Sequence, residues 1–400
     1  MPQITRTDWR AVWAIFATGV ISAAYIGKAP PALPLLRDEL GLTLVESGFI
    51  ATMFNVVGGF VGIFGGMLAD RFGHKRSALA GLAALALGSL LGVAATTYSA
   101  VLLGRFLEGA GFILTSVSGL ALITYATRAA DRPRAMALWS AYMPTGGAAA
   151  LLAAPWMLLM FGWRGLWLLV LVLTVACFVL VARAAPADAP RARVGFLRLA
   201  AESLAQRGSL LLCAAFIGYT AQWASVLVWL PTFAIDERGA STELAALLTA
   251  GMVAINAPGN LLGGPLMARG VSRATLITFG ATVQALSAAG IFLDVLPDTW
   301  RYIACLSFSF FGGLIPVAVM TGIPVHARTP SHIGTTNGMV MQVSQIGQFF
   351  GPLLVAWLAT RFAWSASLGA MLCYAAITLC AGFAIGRVEA GRAGSTATTR

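Results

Sequence analysis

Gly65-Gly66-Met67-Leu68-Ala69-Asp70-Arg71-Phe72-Gly73-His74-Lys75-Arg76 carries the chain out of one apolar run, 48–69, and into the next, 77–97. Each run has about 20 residues, the length that crosses ~30 Å of hydrocarbon. The stretch therefore reads as a charged hairpin between two membrane-spanning helices. Gly65 and Gly66 let those helices approach closely, and Gly73 permits a tight reversal before the basic run. Asp70 is the odd member, a lone carboxylate among Arg71, Lys75 and Arg76. At a membrane surface it needs a partner, and the free N–H groups of a helix N-terminus favour negative charge. The plainer alternative is a basic, orientation-setting loop in which the acid is incidental.

Working outward, 58% of the 400 residues are hydrophobic and 10% charged, with a mean hydropathy of +0.83. That balance belongs to an all-α integral membrane protein. Twelve runs of spanning length are predicted, near 11–33, 48–69, 77–97, 100–126, 135–160, 164–182, 209–234, 243–267, 274–294, 301–325, 335–360 and 364–386. The first is longer than a signal-peptide core and is expected to remain as a span. Of the 26 Lys and Arg residues, 19 fall in one set of alternating connections and five in the other, with Lys28 and Arg105 inside spans. The positive-inside rule then places both termini in the cytoplasm. It also explains the net charge of +11 without a nucleic-acid partner. The five cysteines fall in apolar spans without metal-ligand spacing and are expected to be packing residues.

The segment 183–208, rich in Ala, Pro and Arg, is the longest polar interval. It separates an N-terminal six-helix half, 1–182, from a C-terminal half, 209–400, with a short cytoplasmic tail. An internal repeat supports the division: Gly263-Gly264-Pro265-Leu266-Met267-Ala268-Arg269-Gly270 echoes the first hairpin 198 residues on, with Ala268 in place of Asp70. Gly146 and Gly347, 201 apart, also correspond, each ahead of a turn ending in Trp163 or Trp364. Parallel halves of this kind suit a transporter that exposes one site alternately to either side.

The hairpin resembles the loop motif G-x-L-A-D-R-x-G-R-K-R of the major facilitator superfamily of secondary transporters, with His74 where a basic residue is usual. The resemblance implies two pseudo-symmetric six-helix halves and a gating role for Gly66, Asp70, Arg71 and Gly73. It also implies a specific contact for Asp70, the start of the eleventh span at Gly334-Thr335-Thr336-Asn337. Spans 1, 4, 7 and 10, with 2, 5, 8 and 11, would surround the substrate cavity, and 3, 6, 9 and 12 would face lipid.

Embedded polar residues supply the candidate site. Asn55, Gln222, Asn256, Asn260, Asn337, Gln342, Gln345 and Gln348 fall on the expected inner spans, and Gln284 does not. Amides in hydrocarbon need water or a partner, so this concentration fits either a hydrated cavity or interhelical hydrogen bonds. Lys28 interrupts the outer half of the first span, three residues after Tyr25 and just before Pro30-Pro31. It reads as a cationic ligand for an anionic substrate or as a snorkelling side chain. Arg105 and Glu108, in Arg105-Phe-Leu-Glu108-Gly109-Ala-Gly111, resemble the superfamily's R-x-x-x-G-x-G motif on the fourth span. Their i, i+3 spacing allows an ion pair. Glu108 is the acid placed well inside a span, and so the expected proton carrier if transport is proton-coupled. Tyr219, Gln222 and Trp223 share one helical face of the seventh span and could stack on a flat ligand. Lys28 and Arg105 against Glu108 leave a net positive site that favours anions or neutral polar molecules over polycations.

Leu138-Trp139-Ser140-Ala141, Gly146-Gly147 and Pro155-Trp156 resemble the cyanate and nitroimidazole transporter branch over one helix. The G-x-x-x-G-P motif frequent in the fifth span of drug antiporters stands instead in the eleventh, as Gly347 to Pro352. No nucleophile with a base, phosphate loop or metal cluster is evident, so an enzyme is not expected and no cofactor is implied. The three histidines, His74, His326 and His332, read as surface residues near loops. The expectation is a multi-pass inner-membrane transporter of a small solute, most simply an organic or inorganic anion, with the lipid bilayer as solvent and protons as a coupling ion. The alternatives are a proton-coupled exporter of drugs, siderophores or metabolites, and a non-transporting membrane sensor on the same fold.

Overall fold

The computed structural model describes residues 6–128, 131, 135, 138, 139, 141–186, 202, 204–327 and 333–397, with backbone alone at 61–71, 333, 334 and 392–397. Among the described residues every regular element is helical. The first span is α1 (Trp9–Gly27) followed by α2 (Ala29–Leu40); the second to fourth are α3 (Leu44–Phe72), α4 (His74–Ala94) and α5 (Tyr98–Ala126). A 43-residue stretch, α6 (Tyr142–Ala184), leaves helical geometry at Gly162 (φ 63°, ψ −171°) and so holds the fifth and sixth spans. Then come α7 (Arg207–Arg238), α8 (Thr242–Ala254) with α9 (Asn256–Ala268), α10 (Arg273–Phe292), α11 (Asp298–Gly312) with α12 (Leu314–His326), α13 (Ile333–Phe362) and α14 (Ser367–Ala397). Among the described residues, ten helical stretches are long and apolar enough to cross a membrane. Counting the break at Gly162 and adding α3 gives the twelve expected spans.

Starts follow local chemistry. Asp8 caps α1 by accepting from the backbone N–H of Arg10 and Ala11 at 3.0 and 3.1 Å, and Ser272 accepts from Thr275 N–H at 3.0 Å to cap α10. Breaks follow proline. The bends at Lys28, Ile255 and Gly313 each precede a proline by two or three residues, at Pro30, Pro258 and Pro316. Proline lacks the N–H that would bond the carbonyl one turn back, so each bend frees backbone groups in mid-span. Ile255 (φ −67°, ψ −15°) and Gly313 (φ −59°, ψ −20°) stay near helical values, so these are bends and not reversals.

The chain forms two compact units, Met1–Arg193 with Val228–Ala250, and Val194–Leu227 with Gly251–Arg400. The core of the first includes Val12, Ile15, Tyr25, Phe54, Leu82, Phe112 and Trp139. That of the second includes Leu212, Phe216, Ile277, Leu314, Val319 and Val340. Both units reuse one crossing. A Cβ at Gly146 would lie 2.0 Å from the Val20 carbonyl oxygen, and one at Gly347 would lie 2.7 Å from that of Ile217. The fifth span thus meets the first backbone to backbone, as the eleventh meets the seventh. Ala363, the counterpart of Gly162 at 201 residues, also has positive φ, 91°, without being glycine.

Two side-chain expectations, on the histidines and the cysteines, are corrected. His74 and His326 are buried, His74 with its ring beside Tyr125 and His326 beside Gly208, while His332 lies outside the described residues. Cys373 and Cys380 are exposed, whereas Cys177, Cys213 and Cys305 are buried. Gln284, on the ninth span, is fully buried against Gly312.

Candidate functional site

In the first unit the three embedded charges form one cluster. The Lys28 ammonium donates to Glu108 Oε1 at 2.8 Å and to Ser89 Oγ at 3.0 Å. Arg105 Nη1 donates to the other carboxylate oxygen, Oε2, at 2.6 Å. One acid is thereby divided between two cations, and all three side chains are closed to solvent. Burial of this kind is tolerable only where every donor is used. The remaining donors of Arg105 go to backbone: Nε to the Ile50 carbonyl at 3.0 Å, Nη1 to Tyr25 at 2.9 Å and Nη2 to Ala51 at 3.3 Å. The Tyr25 carbonyl is available because the helix bends three residues later. Ser89 passes its own proton to the Trp167 carbonyl at 2.9 Å.

Aromatic faces complete the enclosure. The Lys28 nitrogen lies 4.1 Å from the ring centre of Tyr25 and 4.4 Å from Trp167, and the Arg105 guanidinium 4.9 Å from Phe54. Such faces hold a cation electrostatically where water is absent. Ser89 and Trp167 were missed in the sequence. The signal for Ser89 was a single hydroxyl in the run Leu87-Gly88-Ser89-Leu90; nothing marked Trp167 among eleven tryptophans.

The second unit holds a neutral cluster at its two bent spans. Asn256 Nδ2 donates to the Ser309 carbonyl at 2.8 Å and reaches Tyr219 Oη at 3.5 Å. Asn260 Nδ2 donates to Asn256 Oδ1 at 2.7 Å, and Trp223 Nε1 to Ser309 Oγ at 3.4 Å. Tyr219, Trp223 and Asn256 are therefore brought together. Gln222 is not: its Nε2 donates to the Met371 carbonyl on the twelfth span. Gln342 and Gln345 stand half-buried on α13, with Gln345 Oε1 accepting from Gln348 at 3.5 Å. Asn55 is buried on α3, and its Oδ1 has no hydrogen-bond partner among the described residues.

Of the gating candidates, Gly73 has φ 98°, a backbone that other residues avoid, and it starts α4. The side chains of Asp70 and Arg71, and the surroundings of Gly66 and Gly334, lie outside what the structure describes. Next to that turn Lys75 Nζ donates to the Ala185 carbonyl at 2.9 Å. Its counterpart 198 residues on, Arg273, pairs with Glu389, which also meets His326 Nε2 at 2.9 Å.

Among the described residues no group of His, Cys, Asp and Glu could hold a metal ion. The geometry offers a net positive, solvent-free charge cluster in one unit and an uncharged amide and aromatic cluster in the other.

Comparison with known proteins agrees with this architecture. The probable sulfoacetate transporter of Cupriavidus necator is 26% identical over 84% of this chain and 84% of its own length. The hexuronate transporter of Bacillus subtilis is 22% identical over 87% of each. The chain spans 32% to 43% of the length of three other relatives, a multidrug transporter of Aspergillus fumigatus, a puromycin resistance protein of Streptomyces alboniger and a cephamycin export protein of Amycolatopsis lactamdurans. A bacterial homologue of the human lysosomal transporter Spinster has a similar fold, with TM-score 0.77, 17% identity, and coverage of 94% of this chain and 96% of that one. The model of the Major Facilitator Superfamily matches residues 14–352; this multi-span membrane protein belongs to that family of transporters.

Proposed function

We propose that the protein is a secondary transporter of a small organic anion, built from the halves 1–182 and 209–400 and cycling by alternating access. The observation that carries this reading is the Lys28–Glu108–Arg105 cluster, two cations to one acid, embedded in the first unit. A fixed excess of positive charge at low dielectric favours an anionic solute and disfavours a polycation. Two relatives that match over more than four fifths of their length are named for a sulfonated carboxylate and for sugar acids, which supports the same class. Asn256, Tyr219 and Trp223, with Gln342 and Gln345, are the uncharged groups of the second unit proposed to contact the substrate. Because Lys28 and Arg105 are closed to solvent in this conformation, they act on the substrate through their field, or by contact once α2 swings about its bend at Lys28. Glu108 is the proton carrier: protonating it would leave two cations without an acid and so drive the cluster apart. Asp70 governs the inner gate, and both termini lie in the cytoplasm of an inner-membrane protein.

The test is uptake of radiolabelled sulfoacetate and D-glucuronate into proteoliposomes, with and without a pH gradient, against puromycin as a bulky cation. Saturable anion flux, lost in Glu108→Gln and slowed in Asp70→Asn with binding retained, supports the reading. Puromycin flux without anion flux sinks it and favours the exporter, to which the Gly347–Pro352 stretch and the partial matches to drug exporters point. Tight binding with no flux of any solute would favour the sensor.

A further inference from the structure

The ninth span, α10, carries an embedded amide, Gln284, that the candidate site does not use. The residue is fully buried. One turn earlier on the same helical face stands Gly280, where a Cβ would lie 2.9 Å from the Phe311 carbonyl oxygen. Gly280 and Gln284 together therefore receive the Phe311-Gly312 stretch of the tenth span, just ahead of its bend at Gly313. At Gly312 the approach is closest: a Cβ there would collide with Gln284 Nε2, and would lie 3.0 Å from Gln284 Cδ and 3.4 Å from Tyr219 Cε2. The side chain that Gly312 lacks marks the point where Gln284 and Tyr219 come together.

Neither amide atom of Gln284 has a hydrogen-bond partner among the described residues. An amide buried in this way is costly, because nothing replaces the hydrogen bonds that water gave it in the unfolded chain. Its neighbour has the complementary need. Pro316, four residues after Gly312, has no N–H, so the Gly312 carbonyl lacks the bond that an uninterrupted helix would supply. A donor and an acceptor with unmet capacity thus stand on residues that touch. One turn before Gly312 the carbonyl of Ser309 is fully engaged, accepting from Gly313 N–H at 3.0 Å and from Asn256 Nδ2 at 2.8 Å. The Ser309 hydroxyl accepts from Trp223 Nε1 at 3.4 Å. Whatever sets the backbone at Gly312 therefore also sets the residue that ties Asn256 to Trp223.

We infer that Gln284 is a positioning residue of the substrate site, acting through Gly312: its amide donates to the Gly312 carbonyl in a second setting of that backbone, which shifts Ser309 against Asn256 and Trp223. The inference rests on the secondary-transport reading of the same cluster. In the described setting the amide is unsatisfied and in the second it is satisfied, so Gln284 draws the backbone toward the second. The Gly312-Gly313 pair gives the chain the freedom to make this adjustment. Tyr219 rests on the same point, so its ring and the Ser309 anchor are set together. A methionine at 284 would fill much the same space and offer no N–H, which separates the hydrogen-bonding role from packing.

The first test needs no substrate. Full-length protein labelled with fluorotryptophan is placed in lipid nanodiscs, and the fluorine resonance of Trp223, assigned by its absence in Trp223→Phe, reports the setting of Ser309. Wild type is expected to populate both settings. Gln284→Met, which removes the donor, and Pro316→Ala, which gives the Gly312 carbonyl a helical N–H instead, should each lower the second population about two- to tenfold, as loss of one hydrogen bond from one of two states implies. The double variant should fall no further, because both changes remove the same bond. An unchanged population in both single variants, or additive shifts in the double, would overturn the inference. In proteoliposomes supplied with sulfoacetate, Gln284→Met is expected to slow turnover with KM held within about twofold. A raised KM at unchanged turnover would make Gln284 a substrate contact and overturn the positioning role. Absence of flux in wild type would remove the transport reading, while the fluorine populations would still decide whether the Gln284–Gly312 bond forms.

Discussion

Lys28 and Glu108 form a 2.8 Å ion pair with no solvent exposure on either side, and the same carboxylate is the acid partner of Arg105. The arrangement is unequal by construction. Removing the acid strands two cations, while removing the lysine leaves one neutral pair. Glu108→Ala is therefore expected to destabilise by about 3–5 kcal/mol, and Lys28→Met by much less. Thermal unfolding of the two variants in the same detergent checks the order; a larger loss for Lys28→Met would mean that Arg105 does not share the acid.

Ala363 occupies φ 91°, ψ 165°, a region essentially reserved for glycine, at the place where the first half has Gly162. Holding a residue with a Cβ there costs on the order of 1–3 kcal/mol. Ala363→Gly should raise the unfolding temperature, and Gly162→Ala should lower it. A lower temperature for Ala363→Gly would show that the turn is not strained.

The glycine crossings carry a sharper contrast. A Cβ at Gly146 meets a carbonyl oxygen at 2.0 Å, whereas one at Gly264 meets nothing within 4 Å. Gly146→Ala is expected to cost about 1–3 kcal/mol through forced separation of two backbones. Gly264→Ala, in a helix interior, should be neutral or stabilising by roughly 0.5–1 kcal/mol. Fluorescence-detected size exclusion after graded heating distinguishes them, and equal behaviour would remove the crossing as a constraint.

Acid sensitivity should appear at Glu39. Burial alone would push its carboxyl up, but hydrogen bonds from Trp163 and Arg164 outweigh that and hold it below the usual carboxylate range. A lowered folded value means that the group stabilises the fold above its ordinary range and ceases to do so as pH falls through the lowered value. Melting temperature should therefore decline as pH drops below about 4.5, less steeply in Glu39→Gln. The Arg164 partner is one third exposed, so the effect should be modest and weaken in high salt. Parallel pH profiles for wild type and variant would exclude it.

Much of this was legible in the chain before any coordinate. Twelve spans follow from apolar length, and the pairing of Arg105 with Glu108 from their spacing. Lys28 shows where such reading stops. Position along the span placed it near an interface, and only the packing of α1, α4, α5 and α6 turned it inward onto Ser89 and Glu108. His74 and His326 read as surface residues because loops flank them, yet each is covered by a neighbouring span. Contacts between residues far apart in sequence leave no local trace, and nothing around Arg37 pointed to its partner Asp236, 199 residues on.

The burial of Lys28 has a consequence for how the protein is made. The first span enters the bilayer carrying a lysine whose acid is 80 residues away, on the fourth span, so during synthesis the charge waits through two further insertions before it is neutralised. An ammonium in hydrocarbon without a partner is costly, so until Glu108 arrives the first span carries a charge that nothing neutralises. The earliest fragment in which Lys28 has its acid is then one that ends after α5, and nascent chains halted before it are expected to be the better substrates of membrane quality-control proteases.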